Sequence, residues 1–277
     1  MISMTPKLGI IAGGGDLPRL IIQSCQQKNR PYFILALEGQ TPAELCDGHP
    51  HAWVYPGKLK TAFKLLRDNS VHEVVMAGNM RRPAWSEIKL DLKAAALFAK
   101  NVHRVFGDDS FLSGMVEIFE DEGFNIVGAH SVVENLLATE GVFGSYKPTK
   151  QQMEDIKHGL KVATILGQAD VGQSVVVQEG LVLGVEAIEG TKALIDRCAN
   201  LKRKGSAPVL VKISKPHQEK RVDLPTIGLL TIEQLSQAGF SGLAIEAGAA
   251  LVLNKDDLVK EADRRKLFVI GVSRESA

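Results

Sequence analysis

The chain has 277 residues, above the size at which one hydrophobic core usually stops growing, so one large or two modest domains are expected. Hydrophobic residues make up 45% and charged residues 23%, which is ordinary for a soluble globular protein. The net charge of +1 excludes the strongly basic class of nucleic-acid-binding domains, and an aromatic content of 5% argues against base-stacking platforms.

The cysteines and the N-terminal residues indicate the cellular compartment. Cys25, Cys46 and Cys198 are scattered without metal-ligand spacing, so neither a disulfide framework nor a structural zinc site is expected. The segment Met1–Lys7 lacks the apolar core of a signal peptide, and no run approaches the roughly 20 apolar residues of a membrane span. We therefore expect a cytoplasmic protein.

The N-terminal residues predict a strand, a glycine turn and a helix. Leu8–Ala12 is a short apolar strand, Gly13, Gly14 and Gly15 follow, and a helix is predicted over Arg19–Gln27. This order is typical of sites where backbone amides at a helix N-terminus meet a phosphate. The glycine spacing fits neither the dinucleotide fingerprint nor the Walker pattern, so a plain tight turn is the alternative.

Two further predicted strands extend the same sheet. They cover Tyr32–Leu37 and Val71–Ala77, and the second is followed by Gly78 and Asn79. Ligands of open α/β sheets bind outside the carboxyl ends of the strands, so the glycine turn and this loop are expected at one edge. Asn79 could hydrogen-bond a base or a ribose there.

The rest of the first half predicts two helices and a strand. The helices cover Leu90–Val105 and Phe111–Glu122, and Asp109 is expected as the N-cap of the second helix or as a ligand group. The strand Phe124–Gly128 ends beside His130, on the presumed ligand edge. A hydrogen-bonded structural histidine is the alternative.

A segment with two glycines and a proline predicts the domain boundary. Residues 139–148 are expected to be a linker between a domain of residues 1–138 and a domain of residues 149–277. After it, Thr149 and Gln152 have the spacing of a capping box at the start of a helix.

The second half predicts a hairpin followed by acidic residues. The strands Ser174–Gln178 and Leu181–Val185 flank an acidic residue and a glycine, a hairpin signal. Glu186 and Glu189 then precede the predicted helix Lys192–Leu201. Mg²⁺ favours carboxylate oxygens, so both are metal or base candidates, with helix-dipole capping as the alternative for Glu189.

The loop Lys212–Gly228 combines cations, carboxylates and two prolines, which hold its backbone extended or turned. Asp223 lies in it near Lys212 and Lys215, an arrangement that suits a metal ion and a phosphorylated ligand. A solvated ion-pair loop is the alternative. The remaining predicted elements are the helices Thr231–Ala238 and Lys255–Leu267 and the strands Leu243–Glu246, Leu251–Leu253 and Phe268–Val272.

Several short motifs follow one another along nearly the whole chain. They are Ile11–Gly15, Ala77–Asn79, Glu122–Phe124 with Gly128–His130, Asp170–Gln173, Glu179–Val182, Glu186–Thr191 and Arg221–Gly228. Together they resemble the LpxI-type UDP-2,3-diacylglucosamine pyrophosphatases of lipid A synthesis. Each motif alone is weak, and the last one in series with the others is specific.

The resemblance implies a bacterial hydrolase that uses Mg²⁺ to split UDP-2,3-diacylglucosamine into UMP and 2,3-diacylglucosamine 1-phosphate. It implies an α/β fold with a Rossmann-like N-terminal domain, a C-terminal α/β domain for catalysis and lipid binding, and a ligand chamber between them. It also implies a homodimer and leaves open a peripheral contact with the cytoplasmic face of the inner membrane through the lipid substrate, while nucleic acid is already disfavoured as a partner by the net charge.

The expected site combines these candidates. Asp223 matches the family's active-site aspartate and is expected to act with Lys212 and Lys215, while Asp223 and Glu186 hold Mg²⁺. The expected substrate-binding residues are Gly13, Gly14, Gly15, Gly78, Asn79, Asp109, His130, Gln173, Glu189, Gly190 and Thr191.

Two other functions remain as alternatives. A nicotinamide-dependent oxidoreductase also begins with a strand, glycines and a helix, but the glycine spacing disfavours it, as does Glu38 being the only acidic candidate after the second strand. A non-catalytic nucleotide- or lipid-binding protein is the second alternative.

Overall fold

The computed structural model describes residues 5–80, 108–216 and 218–274, without the side chains of residues 108–111. The chain divides into two units. The first comprises Met1–Glu134 and Glu219–Asp223, and the second comprises Asn135–Gln218 and Leu224–Ala277. The predicted helix over Leu90–Val105 lies outside the described residues.

The first unit is built on a parallel five-stranded sheet with the order β3-β2-β1-β4-β5. All five residues of β1 are buried, as expected for a strand with neighbours on both sides and helices over the sheet. A central first strand with this order is the Rossmann-type arrangement, which confirms the predicted Rossmann-like domain. The strands are β1 Leu8–Ala12, β2 Tyr32–Leu37, β3 His51–Val54, β4 Glu73–Ala77 and β5 Asn125–Ile126.

Aromatic packing joins two helices of the first unit to each other and to the residue before β5. The rings of Phe63, Phe119 and Phe124 are buried together, with centroids 5.0–6.0 Å apart. Burying one such side chain contributes about 1.5–3 kcal/mol. The described helices of this unit are α1 Leu17–Gln27, a short 3₁₀ helix Ala43–Leu45, α2 Leu59–Asp68, α3 Asp108–Asp121 and α4 Ala129–Val132. Asp109, expected to be the N-cap, lies inside α3.

The second unit is built on a mixed six-stranded sheet with the order β6-β13-β11-β9-β7-β8. Its centre, β9, β11 and β13, is parallel. Because β7 runs antiparallel to both β8 and β9, β8 points in the same direction as β9. The strands are β6 Gly141–Val142, β7 Ser174–Gln178, β8 Leu181–Val185, β9 Val209–Lys212, β11 Gly242–Glu246 and β13 Phe268–Val272, and β10 Thr226–Ile227 pairs separately with β12 Leu251–Val252.

Helices cover both faces of this second sheet. Alternate strand residues point to opposite faces and belong to two different apolar cores. One core joins α5 to residues such as Val175 and Val211, and the other joins α6, α7 and α8 to residues such as Val176 and Leu210. The helices are α5 Lys150–Gln168, α6 Gly190–Ala199, α7 Leu229–Gln237 and α8 Lys255–Arg264. None of the described helices is long and apolar enough to cross a membrane.

The local signals of the second half are confirmed. Thr149 and Gln152 form the predicted capping box at the start of α5. Glu179 and Gly180 form the hairpin turn with φ of 49° and 78°, and their amides donate to the buried carboxylate of Asp155 at 2.9 and 2.7 Å. The turn is thus tied to α5 as well as to its own strands.

Two segments differ from the sequence-based division. Residues 139–148, expected to be a linker, contain β6, whose Val142 pairs with Ile270 of β13. Residues Glu219–Asp223, placed by chain order in the second domain, belong to the first unit. Both differences come from pairings between residues far apart in the chain, which a local pattern does not record.

Candidate functional site

The loops after β1 and β4 meet at the carboxyl edge of the first sheet. The Gly13 amide donates to the Ala77 carbonyl at 2.7 Å, and Gly14 and Asn79 exchange backbone hydrogen bonds at 2.9 and 2.8 Å. This edge is where ligands of open α/β sheets bind. The expectation that the two loops share one edge is therefore confirmed.

The glycines permit this close approach. Gly78 has φ of +96°, and a Cβ there would lie 2.5 Å from the Gly14 carbonyl oxygen. A Cβ on Gly13 would lie 2.6 Å from the Asn79 carbonyl oxygen. Because the amides of Gly13 and Gly14 already have protein partners, a phosphate at this edge would have to meet Gly15 and the first turn of α1, beside the Asn79 side chain.

Thr41 also belongs to this edge, and sequence reasoning missed it. It follows β2, is buried, and its hydroxyl donates to the Ala12 carbonyl at 2.5 Å and accepts from the Leu37 amide at 2.8 Å. It thereby fixes the loop after β2 against the end of β1. Its sequence signal is weak, a threonine a few residues beyond an apolar strand.

His130 reaches the same edge through β5, which pairs in parallel with β4. It lies in α4, and its ring packs so closely on Gly128 that a Cβ there would be 2.4 Å from the ring. Its Nδ1 is buried and has no hydrogen-bond partner within the described part of the chain. The ring therefore keeps a nitrogen with which it could bind a ligand.

A row of three polar residues lies at the carboxyl edge of the second sheet. Ser174 opens β7, Lys212 ends β9 as its register partner, and Glu186 follows β8 with its amide donating to the Ser174 carbonyl at 2.8 Å. Residues opposite one another on neighbouring strands point to the same face. Their exposed fractions are only 0% for Ser174, 7% for Lys212 and 6% for Glu186.

A threonine hydroxyl joins two members of this row. Lys212 Nζ donates to Thr191 Oγ1 at 2.8 Å, and Thr191 Oγ1 donates to Glu186 Oε1 at 2.7 Å. Thr191 lies in the first turn of α6, which starts at Gly190 with φ of +79°. The hydroxyl expected to bind substrate is thus placed between an ammonium and a carboxylate of the protein.

Three buried oxygen atoms near this edge lack hydrogen-bond partners among the described residues. They are Glu186 Oε2, Ser174 Oγ and Gln173 Oε1. Buried polar atoms are nearly always paired, so such atoms mark places for water, an ion or a ligand. Carboxylate and hydroxyl oxygens fit Mg²⁺, which keeps several waters as ligands.

In the described ranges 5–80, 108–216 and 218–274, no group of three or more His, Cys, Asp and Glu side chains could hold a metal ion. A cation beside Glu186 would therefore need hydroxyl, water or phosphate oxygens as well.

Glu189 is in a different situation from Glu186. Its carboxylate accepts from Arg197 at 2.9 Å and from the Ala187 amide at 3.0 Å, at the N-cap position of α6. Hydrogen bonds from its own backbone and from Arg197 lower the pKa of this carboxyl. These contacts favour the helix-start interpretation of Glu189, and Glu186 keeps the free oxygen.

An ion pair and a hydrogen bond of Lys215 hold the start of the loop after β9. Lys215 Nζ forms an ion pair with Asp170 at 2.6 Å, and the Lys215 amide donates to Gln218 Oε1 at 3.0 Å. Any phosphate contact by Lys215 would have to compete with this ion pair or add to it.

A second polar cluster at this edge was not predicted. Glu246, the last residue of β11, accepts from the Ser214 amide at 2.9 Å and from the Ser214 hydroxyl at 2.8 Å. Arg274 Nη2 donates to the same oxygen at 2.9 Å. This cluster fixes Ser214, and its sequence signal is a carboxylate at the end of an apolar strand, as for Glu186.

Asp223 ends a tight turn that belongs to the first unit, and it is half-buried. Its amide donates to the Glu219 carbonyl at 3.0 Å. Arg221 pairs with Glu219 at 2.9 Å and with Glu120 at 2.6 Å, and Val222 packs against the first apolar core. The hydrogen bond from Arg221 lowers the pKa of the Glu219 carboxyl.

Two models of known protein families match the chain. The model of the LpxI N-terminal domain matches residues 7–136, and the model of the LpxI C-terminal domain matches residues 139–270. The chain belongs to the LpxI family. A UDP-2,3-diacylglucosamine pyrophosphatase LpxI of Caulobacter vibrioides is 40% identical over 273 residues, which are 96% of this chain and 97% of that protein.

Solved structures show only a distant likeness. An N5-carboxyaminoimidazole synthase of Aspergillus clavatus with ADP and an aminoimidazole ribonucleotide matches with a TM-score of 0.25 and 11% identity, over 72% of this chain and 44% of that one. A carboxyaminoimidazole ribonucleotide synthase of the same fungus with ATP matches with a TM-score of 0.25 and 12% identity, over 72% and 45%. The chain thus spans less than half the length of either enzyme.

Most of the residues expected to form the site fall into three groups. Gly13, Gly14, Gly15, Gly78, Asn79 and His130 lie at the carboxyl edge of the first sheet, Glu186, Gly190, Thr191 and Lys212 lie at that of the second, and Asp223 lies in the turn that belongs to the first unit. Asp109 lies in α3 with its side chain outside the description.

Proposed function

We propose that this chain hydrolyses the pyrophosphate bond of UDP-2,3-diacylglucosamine to UMP and 2,3-diacylglucosamine 1-phosphate, with Mg²⁺ as cofactor. The observation that carries the proposal is the 40% identity, over 96% of the chain, to a protein named for the pyrophosphatase activity on this substrate. Both carboxyl edges supply residue types that suit a nucleotide diphosphate.

The first unit would bind the nucleotide. Its sheet edge offers the start of α1 for a phosphate, the Asn79 amide for the uridine and the free Nδ1 of His130. The side-chain amide of Asn79 carries both a donor and an acceptor, so it can hydrogen-bond the edge of a base or a ribose hydroxyl.

The second unit would handle the charge of the pyrophosphate. Lys212 holds a buried ammonium that stabilises negative charge as it develops on the phosphoryl oxygens. Glu186 Oε2 is the oxygen that fits Mg²⁺, and a bound Mg²⁺ supplies Lewis acidity and lowers the pKa of a bound water. Asp223 orients the attacking water and accepts its proton.

Three further properties belong to the same proposal. Apolar surface of the second unit takes the acyl chains, at about 0.8 kcal/mol for each buried CH₂ group. The chain forms a cytoplasmic homodimer that reaches the inner membrane only through its lipid substrate. Analytical ultracentrifugation would test the dimer against the 30.0 kDa chain mass. The ligand chamber between the domains stays a prediction.

The test is a product assay. The protein is incubated with UDP-2,3-diacylglucosamine and Mg²⁺, and UMP and the lipid phosphate are measured by mass spectrometry. Asp223→Ala should reduce turnover by about 10²–10⁴-fold, the usual size of a proton-transfer contribution, and should still bind substrate.

Asp196→Ala is the matched control, because Asp196 is an exposed aspartate whose carboxylate pairs with Lys192. Near-normal turnover by Asp223→Ala would contradict the role of Asp223. Recovery of intact bound substrate from the unaltered protein after incubation with Mg²⁺ would instead support a non-catalytic carrier.

A further inference from the structure

Ser174 lies between Glu186 and Lys212 in the polar row of the second sheet. We propose that the Ser174 hydroxyl and Glu186 Oε2 together form a binding site for a divalent cation of the Mg²⁺ type. The inference rests on the Mg²⁺ dependence in the proposed function and adds to it a ligand, Ser174, that neither the motifs nor the carboxylate pattern indicates.

The backbone places the two oxygen-bearing side chains side by side. Ser174 and Glu186 are opposite residues at the end of an antiparallel pair, with the Glu186 amide 2.8 Å from the Ser174 carbonyl. Cβ atoms of such residues are about 4.5–5.5 Å apart. A cation that holds its ligand oxygens at about 2.0–2.1 Å fits between side chains at this spacing.

The two atoms are also two of the three buried oxygens near this edge that lack hydrogen-bond partners among the described residues. Ser174 has an exposed fraction of 0% and Glu186 of 6%, and neither Ser174 Oγ nor Glu186 Oε2 has a hydrogen-bond partner in the described part of the chain. Two buried polar atoms in one place mark a position that a shared water, ion or ligand would fill. A hydroxyl and a carboxylate oxygen are both hard donors, which suits a divalent cation with waters completing its shell.

The charges of the row suit this guest. The Thr191 hydroxyl accepts a hydrogen bond from the Lys212 ammonium and donates one to Glu186 Oε1. The other carboxylate oxygen, Oε2, is therefore left for the cation. Glu186 and Lys212 together are neutral, and a divalent cation therefore makes the row positive for a pyrophosphate. Lysine, hydroxyl and Mg²⁺ acting on one phosphate group is also the combination used by P-loop proteins.

Cation binding can be measured without substrate. In a titration with Mn²⁺ followed by electron paramagnetic resonance, the unaltered protein should bind saturably and release Mn²⁺ when Mg²⁺ is added. Ser174→Ala should weaken binding at least tenfold. Ser24→Ala is the matched control, because the Ser24 hydroxyl is also buried but donates to the Val132 carbonyl at 2.8 Å, and it should bind as the unaltered protein does.

A second variant covers the case in which Ser174→Ala fails to fold. Ser174→Cys replaces the hydroxyl with a softer sulfur ligand of similar shape, and it should bind Mn²⁺ more weakly and Cd²⁺ more tightly than the unaltered protein.

Thermal unfolding supplies a readout independent of activity. In EDTA, Ser174→Ala should unfold no earlier than the unaltered protein, since no hydrogen bond is lost, whereas Ser24→Ala should unfold earlier. At the same concentration, Mn²⁺ should raise the unfolding temperature of the unaltered protein and of Ser24→Ala more than that of Ser174→Ala.

Unchanged Mn²⁺ affinity in Ser174→Ala would overturn the inference. The absence of saturable Mn²⁺ binding in the unaltered protein would also overturn it, and that result is expected if only water fills the site. If the unaltered protein hydrolyses the substrate and Ser174→Ala binds Mn²⁺ as tightly as the unaltered protein does, only this inference is wrong. Cation binding as expected without any hydrolysis would remove only the proposed function.

Discussion

Thr191 places one hydroxyl between two buried charged groups, Lys212 and Glu186. Replacing it by valine keeps the shape of the side chain and removes the hydrogen bonds, so Thr191→Val should cost about 1.5–3 kcal/mol of stability for each bond to a charged group. Turnover should also fall, because Lys212 loses a hydrogen-bond partner that helps to position it, whereas Thr191→Ser should retain most of the activity. Urea unfolding and steady-state hydrolysis measure both effects.

A threonine in the same unit serves as the control for Thr191. Thr164 lies in α5 and donates its hydroxyl to the Leu160 carbonyl of the same helix at 2.8 Å. Thr164→Val should leave hydrolysis unchanged. If Thr191→Val and Thr191→Ser have the same turnover, the hydroxyl does not position Lys212.

Single residues show where sequence reasoning stops. Glu186 and Glu189 look equivalent in the sequence, since both are carboxylates between a strand and a helix. Their difference comes from Thr191 and Arg197, which contact one carboxylate each after α6 has packed on the sheet. Ser174 carries no signal at all, because its place beside Glu186 depends on strand pairing.

At the scale of elements, the closeness of the loops after β1 and β4 depends on Gly78. Gly78→Ala adds a Cβ at φ of +96° and at 2.5 Å from the Gly14 carbonyl oxygen. We expect a loss of about 1–3 kcal/mol for the backbone conformation, a further loss for the clash, and weaker UMP binding. Thermal unfolding and a UMP titration measure these effects.

Gly48 separates the two causes. It has φ of +75° with nothing within 4 Å of an added Cβ, so Gly48→Ala bears the conformational cost alone. Gly78→Ala should therefore be the less stable variant, and only it should bind UMP more weakly. Equal losses in the two variants would mean that the loops give way around the added methyl group.

The elements themselves were largely predictable. Long apolar runs and a capping box carry local signals, so β1, the hairpin of β7 and β8, and the start of α5 agree with the sequence. The shared edge of β1 and β4 followed from the rule for open sheets. The short strand β6 was missed because its pairing with the distant β13 defines it. Glu246 ends an apolar strand, but its contacts with Ser214 and Arg274 join residues far apart in the chain and leave no local signal.

At the scale of the whole molecule, chain order does not define the two units. Residues Glu219–Asp223 follow most of the second unit in sequence and yet complete the first one. Val222 packs on the first apolar core, and Arg221 pairs with Glu120 of α3 at 2.6 Å. The stability of the first unit therefore depends on the segment that carries Asp223.

This dependence has a pH signature. Arg221 donates to Glu219 and lowers the pKa of its carboxyl below the ordinary glutamate value of about 4.3. A lowered folded-state pKa stabilises the fold fully above the ordinary value, and this stabilisation is lost as the pH falls through the folded-state value. The first unit should therefore lose stability in acid, partly through Glu219.

Glu219→Gln should remove this part of the acid sensitivity. At neutral pH the variant should be less stable by about 0.2–1 kcal/mol, the usual worth of a partly exposed ion pair, and the difference should shrink as the pH falls from about 5 toward 3. Trp53 lies in β3 of the first unit, so urea unfolding followed by its fluorescence reports on that unit. Glu154→Gln is the control, because Glu154 forms an exposed pair with Lys157 in the second unit. A difference between Glu219→Gln and the unaltered protein that stays constant from neutral to acid pH would show that Arg221 holds this turn by packing rather than by charge.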